Sequence, residues 1–120
     1  MKGMPTLRRP RDLDRVFDEG HWRRLRPVAI GTYHRGDEDQ TRFAFVAGRR
    51  IGKAVRRNRA RRRMREALRS MIAAIGDGAD VVLAARHDTA EVDFVVLQAA
   101  IREALAGEGL LREVGPEDAP

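Results

Sequence analysis

An α+β sandwich is the fold this sequence predicts, and three patterns point to it. Apolar residues recur at helical period from Ala60 to Ile75, β-forming side chains alternate or cluster over residues 28–33 and 41–47, and residues 79–85 form a run that is apolar apart from Asp80. Along the chain the order is helix, strands, helix, strand, helix, the arrangement of helices packed on a small sheet. With 120 residues and 42% hydrophobic content, the chain suits one domain around one core.

Residues 1–6 read as a flexible basic arm, since Pro5 and Pro10 interrupt any continuous helix. A short helix is expected over residues 10–19. Pro10 suits its first turn, Leu13, Val16 and Phe17 share a face, and Gly20 is placed to close it in a left-handed cap. In the next strand Val28, Ile30 and Thr32 alternate with Ala29, Gly31 and Tyr33. Residues 35–39 (RGDED) read as a turn and residues 41–47 (TRFAFVA) as the partner strand. Beyond a basic lead-in at residues 48–53, the stripe of Ala60, Met64, Ala67, Leu68, Met71, Ile72 and Ile75 predicts an amphipathic helix stopping at Gly76. Residues 79–85 (ADVVLAA) read as a buried strand. Asp88 or Thr89 is placed to cap a last helix whose inner face is Phe94, Leu97, Ile101, Ala104 and Leu105. Gly107 and Gly109 loosen the chain beyond that helix, so residues 107–120 read as a flexible acidic tail.

A net charge of +6 conceals a sharp segregation. Residues 49–69 hold eleven basic side chains (Arg49, Arg50, Lys53, Arg56, Arg57, Arg59, Arg61, Arg62, Arg63, Arg65 and Arg69) against Glu66 alone, a net of +10. The rest of the chain has 13 basic and 17 acidic residues, a net of −4. On a helical wheel Asn58, Arg61, Arg62, Arg65 and Arg69 gather on one flank of the apolar stripe, and Arg56, Arg59 and Arg63 on the other. Solvated helix faces normally mix both signs in i, i+4 pairs. Here like charges repel until a polyanion offsets them, so nucleic acid is the expected partner. Gly52, Lys53 and Arg56 place amides and cations before a helix N-terminus, which favours phosphate. Only Lys2 and Lys53 among the 24 basic residues are lysine, and arginine gives bidentate phosphate contacts and stacks on bases. Phe17, Trp22, Tyr33, Phe43 and Phe45 divide between core and base stacking in a way the sequence leaves open.

Other chemistries fit poorly. Without cysteine there is no disulfide framework, thiolate zinc site or catalytic thiol. No apolar run approaches the roughly 20 residues of a membrane span, and the N-terminus lacks the apolar stretch of a signal peptide, so a soluble, cytoplasmic protein is expected. His21, His34 and His87 stand alone, without i, i+4 partners. The acidic groups Asp12/Asp14, Asp18/Glu19 and Asp37/Glu38/Asp39 suit helix ends and a turn rather than metal ions. Neither a catalytic side chain nor a protein metal site is expected.

Residues 48–66 (GRRIGKAVRRNRARRRMRE) resemble the signature of the bacterial ribonuclease P protein component: two cations, a hydrophobic residue, Gly-x-Ala-Val, Arg-Asn-Arg, and a basic helix ending in Arg-Glu. Leu7 to Gly20 is similar to the family's opening, and residues 80–86 (DVVLAAR) to its strand ending in arginine. The resemblance implies a two-layer α-β-β-β-α-β-α sandwich with a small, mostly antiparallel sheet, like the second domain of a small-subunit ribosomal protein. It also implies a left-handed crossover through the basic helix, against the usual handedness. Residues 7–106 would form that domain.

The resemblance further implies a catalytic RNA as partner in a 1:1 heterodimer and precursor tRNA as substrate. The RNA subunit removes the 5′ leader, with Mg2+ held by RNA and substrate rather than by protein side chains. By position, Arg57, Asn58 and Arg59 match the signature triplet, and Arg49, Arg50, Lys53, Arg61, Arg62 and Arg65 match further basic positions. Arg56 and Arg69 complete the expected RNA-binding set. Phe17 matches a phenylalanine expected to face a leader cleft between first helix and sheet, with Leu13, Phe43 and Phe45 as the other expected cleft residues. The sequence departs from the family twice: Leu13 stands where a second phenylalanine is usual, and Gly31 stands where the first strand commonly has an aromatic. A structural RNA-binding protein of ribosomal type, with no part in cleavage, is the alternative. A major-groove DNA reader fits less well, because few Asn or Gln residues accompany the arginines.

Overall fold

The apolar run Ala79–Ala85 lies inside a four-stranded sheet, as a strand apolar on both faces must. In the computed structural model, which describes residues 4–111, the elements are α1 (Pro10–Glu19), β1 (His21–Arg24), β2 (Val28–His34), β3 (Arg42–Val46), α2 (Ala54–Arg69), β4 (Ala79–Ala85) and α3 (Phe94–Gly107). Single 3-10 turns occur at Arg49–Ile51 and Ile72–Ala74. The strand order is β1-β2-β4-β3, with β3 parallel to β4 and the other pairs antiparallel. Parallel neighbours need a crossover, and α2 supplies it. The fold is therefore α+β, as expected, on a mixed sheet in which two of the three strand pairs are antiparallel.

Two helices cover one face of the sheet. Met64 and Leu68 of α2, with Leu97, Ile101 and Leu105 of α3, pack on Val28, Ile30, Phe43, Val81 and Leu83. Burying side chains of this size stabilises by about 1.5–3 kcal/mol each. On the opposite face Val16 of α1 packs with Leu7, Ala44 and Val82, flanked by Leu13, Trp22 and Tyr33.

Several expectations are corrected. Residues 41–47 do not pair with β2, because β4 inserts between β2 and β3. The connection instead passes the end of β4, held there by Arg35, which donates to the carbonyls of Ala79, Asp39 and Gln40. The first of the three strands in the implied order is β1, which residue patterning did not locate: its sequence HWRR carries little apolar signal and it forms a sheet edge. Gly20 is extended rather than left-handed; its requirement is closeness, since a Cβ there would lie 2.4 Å from the Val16 carbonyl oxygen. Helix α2 ends at Arg69, well before Gly76. Beyond Ser70 the hydrogen bonds shorten to the i−3 pattern (Ala74 to Met71, Ile75 to Ile72), so the apolar stripe outlasts the α-helix that the periodicity predicts. Thr89 does not cap α3. It is buried, accepting from the Arg86 amide and donating to the Pro27 carbonyl, and α3 begins after Asp93.

Part of each segment expected to be flexible packs on the domain. Pro5 and Leu7 exchange backbone hydrogen bonds with Phe43, and Met4 packs on the core. At the other end Leu110 and Leu111 are buried, the Gly76 amide donates to the Leu110 carbonyl, and Glu108 is tied to β1. The hydrophobic pair at 110–111 outweighs the loosening ascribed to Gly107 and Gly109. The remainder of both expected segments, residues 1–3 and 112–120, lies outside the described residues.

Candidate nucleic-acid interface

The basic helix is set up by the turn before it. Arg49–Ile51 forms one 3-10 turn and Gly52 succeeds it at φ +135°, a conformation that favours glycine. Lys53 then precedes α2 without a side-chain cap, and no acidic residue stands in the first turn. Amide groups at a helix start carry partial positive charge, and here Lys53, Arg56 and Arg57 add to it rather than compensate it. Ala60, Met64, Ala67 and Leu68 anchor the helix in the core, so the charged flanks cannot roll inward.

The arginines of this segment have different fates. Arg56 pairs with Glu91 and donates to the His87 carbonyl, and its guanidinium holds the Glu91 carboxyl below the usual range. Arg63 donates to the Thr89 and Val92 carbonyls. These two brace α2 against the segment before α3, so Arg56, expected among the RNA contacts, is also engaged within the chain. Arg61 donates to Asn58 and Arg69 pairs with Glu66 along the helix. Among the described residues, no carboxylate lies within ion-pairing distance of Arg49, Arg50, Lys53, Arg57, Arg59, Arg62 or Arg65. Arg57 Nε is buried without a hydrogen-bond partner among the described residues, an arrangement that costs stability until something accepts from that guanidinium.

Of the expected cleft residues, Leu13, Phe43 and Phe45 line one groove at the β3 edge, and Phe17 is not part of its lining. Phe17 and Leu13 lie on the α1 face of the sheet, whereas Phe43 is buried beneath α2 and α3 and Phe45 packs against that same core. Strand alternation separates them, since β3 turns Phe43 and Phe45 one way and Ala44 and Val46 the other. Phe43 is thus a core residue. Phe45 lies under the Arg65 guanidinium, 5.2 Å from its ring centroid. That groove brings Leu13, Phe43 and Phe45 together with Arg65 and Arg69, linking the arginine flank of α2 to the edge of α1.

The α1 face has its own arginines, which charge segregation along the sequence did not single out. Asp80 of β4 is fully buried and accepts from Arg35 (2.5 Å), Arg42 (2.8 Å) and Arg15 (3.3 Å). Burial alone would raise the Asp80 carboxyl, but hydrogen bonds from Arg42 and Arg35 outweigh it and hold it below the usual range. Arg15 also covers the Tyr33 ring at 4.5 Å. At the far end of β1, Glu108 accepts from His21, Arg23 and His34; burial pushes its carboxyl up, and those hydrogen bonds hold it below the usual range. Among the described residues, no group of three or more His, Asp or Glu side chains is placed to hold a metal ion. No described helix is long and apolar enough to cross a membrane.

Comparison with known proteins adds to this geometry. The family model for Ribonuclease P matches residues 1–107. The ribonuclease P protein component of Chloroflexus aggregans is 39% identical over 121 aligned residues, covering 100% of this chain and 87% of that one. Among solved structures, the RNase P protein from Thermotoga maritima superposes with a TM-score of 0.72 at 30% identity, covering 83% of this chain and 94% of that one. The Staphylococcus aureus RNase P protein reaches a TM-score of 0.77 at 20% identity, covering 92% of this chain and 100% of that one, a likeness of fold. The motif at residues 48–66, the sheet order and the matched length agree, and the chain belongs to the bacterial ribonuclease P protein component family, the protein subunit of an endoribonuclease.

Proposed function

We propose that this chain binds the catalytic RNA of ribonuclease P in a 1:1 complex and assists removal of the 5′ leader from precursor tRNA in the cytoplasm. The observation that carries this reading is the set of cations around the start of α2, held at the surface by a buried seam and without carboxylate partners among the described residues. Arg49, Arg50, Lys53, Arg57, Asn58, Arg59, Arg61, Arg62, Arg65 and Arg69 contact the RNA subunit, with Arg57, Asn58 and Arg59 at the centre. Hydrolysis belongs to Mg2+ ions held by the RNA and the substrate; the protein screens repulsion between two polyanions. Neutralising roughly eight phosphates gives a log–log salt slope on the order of −6 to −7.

Multiple-turnover cleavage of a precursor tRNA at low magnesium tests the reading, with the protein and a bacterial ribonuclease P RNA alone and combined. Strong stimulation in the combination, weakened by Arg57→Ala or Asn58→Ala, is the expected result. Tight RNA binding without stimulation would favour a structural role of ribosomal type, and cleavage by the protein alone would place an active site in the chain.

A further inference from the structure

The segment between β4 and α3 is fastened on two sides. Thr89 is buried, its hydroxyl accepting from the Arg86 amide and donating to the carbonyl of Pro27, just before β2. On the other side the segment meets α2. Ala90 packs with Ile51 of the 3-10 turn and Ala60 of α2 in a small apolar cluster of their own. Arg63 donates to the Thr89 and Val92 carbonyls. Arg56, in the first turn of α2, donates to the His87 carbonyl at 2.9 Å and pairs with Glu91. Its stem also lies on Gly52, where a Cβ would meet Arg56 Cδ at 2.8 Å. One side chain thus joins the turn before α2, the helix start and the segment before α3.

That junction matters because α2 starts poorly on its own. Its first turn has no side-chain cap and no acid, and Lys53, Arg56 and Arg57 add positive charge to the free amides. Glu91 supplies from outside the helix the negative charge that this turn lacks. Among the described residues, two acids pair with arginines of α2, and they differ in what they join. Glu66 meets Arg69 along the surface of the same helix, whereas Glu91 fastens α2 to another segment.

We propose that Glu91 is a positioning residue for RNA binding, clasping Arg56 so that the start of α2 presents Arg57, Asn58 and Arg59 in one fixed arrangement. The inference rests on the proposed RNA contact of that triplet, and it inverts what charge alone predicts. Removing an acid beside a phosphate-binding surface strengthens binding. Removing Glu91 weakens it, because the helix start must then be ordered at the moment RNA binds.

Binding of the full chain to a bacterial ribonuclease P RNA across a salt series separates the two. Measured far below the unfolding transition, affinity is not moved by a loss of fold stability alone. Glu66→Ala should raise affinity, the plain electrostatic outcome. Glu91→Ala should lower it about threefold with an unchanged log–log slope, the size expected of a surface ion pair. In an Arg56→Ala background, Glu91→Ala should lower it no further. Higher affinity in Glu91→Ala, as in Glu66→Ala, would overturn the positioning role and leave the RNA contact standing. A loss of equal size without Arg56 would overturn it too. Failure of the unaltered chain to bind the RNA would overturn both.

Discussion

The two faces of this small sheet use the same side chain for opposite purposes. Around Asp80, Arg15, Arg35 and Arg42 converge on one buried carboxylate and become structural parts of the α1 face. Along α2, arginines of equal intrinsic charge stand with a single acidic residue among them, and several have no carboxylate within reach among the described residues. What separates the two roles is the placement of acids. A buried acceptor fixes arginines in place, and its absence leaves them to a polyanionic partner. Stability should therefore respond mainly to the first group and RNA affinity mainly to the second.

The largest expected effect lies at Asp80. Removing its charge by Asp80→Asn leaves the surrounding guanidiniums uncompensated, which should cost about 3–5 kcal/mol in denaturant unfolding. The sign of the pH dependence is set by the same contacts. A carboxyl held below its ordinary value of 3.8 contributes stability that is present above that pH and lost as pH falls through the folded value. Wild-type protein should accordingly lose stability on acidification below about pH 4, and Asp80→Asn should flatten that limb. An unchanged acid limb would show that Asp80 is not the controlling group.

Next in size is the coupling between Gly31 and Trp22. Gly31→Ala drives a methyl group into the indole and should destabilise by about 1–3 kcal/mol, whereas the same change in a Trp22→Ala background should cost much less. Equal costs in both backgrounds would mean that the indole does not occupy that space. On α2, Arg57→Ala should reduce the salt slope of RNA binding by about one, with stimulated cleavage at low magnesium reduced in parallel. The smallest effect belongs to Arg56→Ala, whose guanidinium is engaged by Glu91 and the His87 carbonyl. Its salt slope should match wild type, and a full-unit loss would place Arg56 with the RNA-contacting arginines.

Local periodicity made much of the fold legible: α1 and β4 occupy residues 10–19 and 79–85 as expected. What sequence order hid was pairing between distant segments. Nothing in residues 28–47 announces that β4 will insert between its two strands, because that is decided by how α2 carries the chain over. The basic flank of α2 was readable since charge and period lie in one contiguous stretch. The α1 face was not, because Arg15, Arg42 and Asp80 meet across 65 residues of chain. Phe43 illustrates the same limit: residue type suggested either core or stacking, and only strand register sends it beneath the helices. Trp22 and Gly31 form a compensating pair visible only once β1 is aligned with β2.

The central claim, that the uncompensated arginines of α2 exist for RNA phosphate, is tested most directly by the salt dependence of binding to ribonuclease P RNA. Wild type is to be compared with the double variant Arg59→Ala/Arg62→Ala, whose side chains are exposed and whose loss should leave thermal unfolding unchanged. A log–log slope smaller by about two in the double variant is the predicted result. An identical slope with the same folded stability would contradict the account, and would move the RNA contact to another face of the molecule.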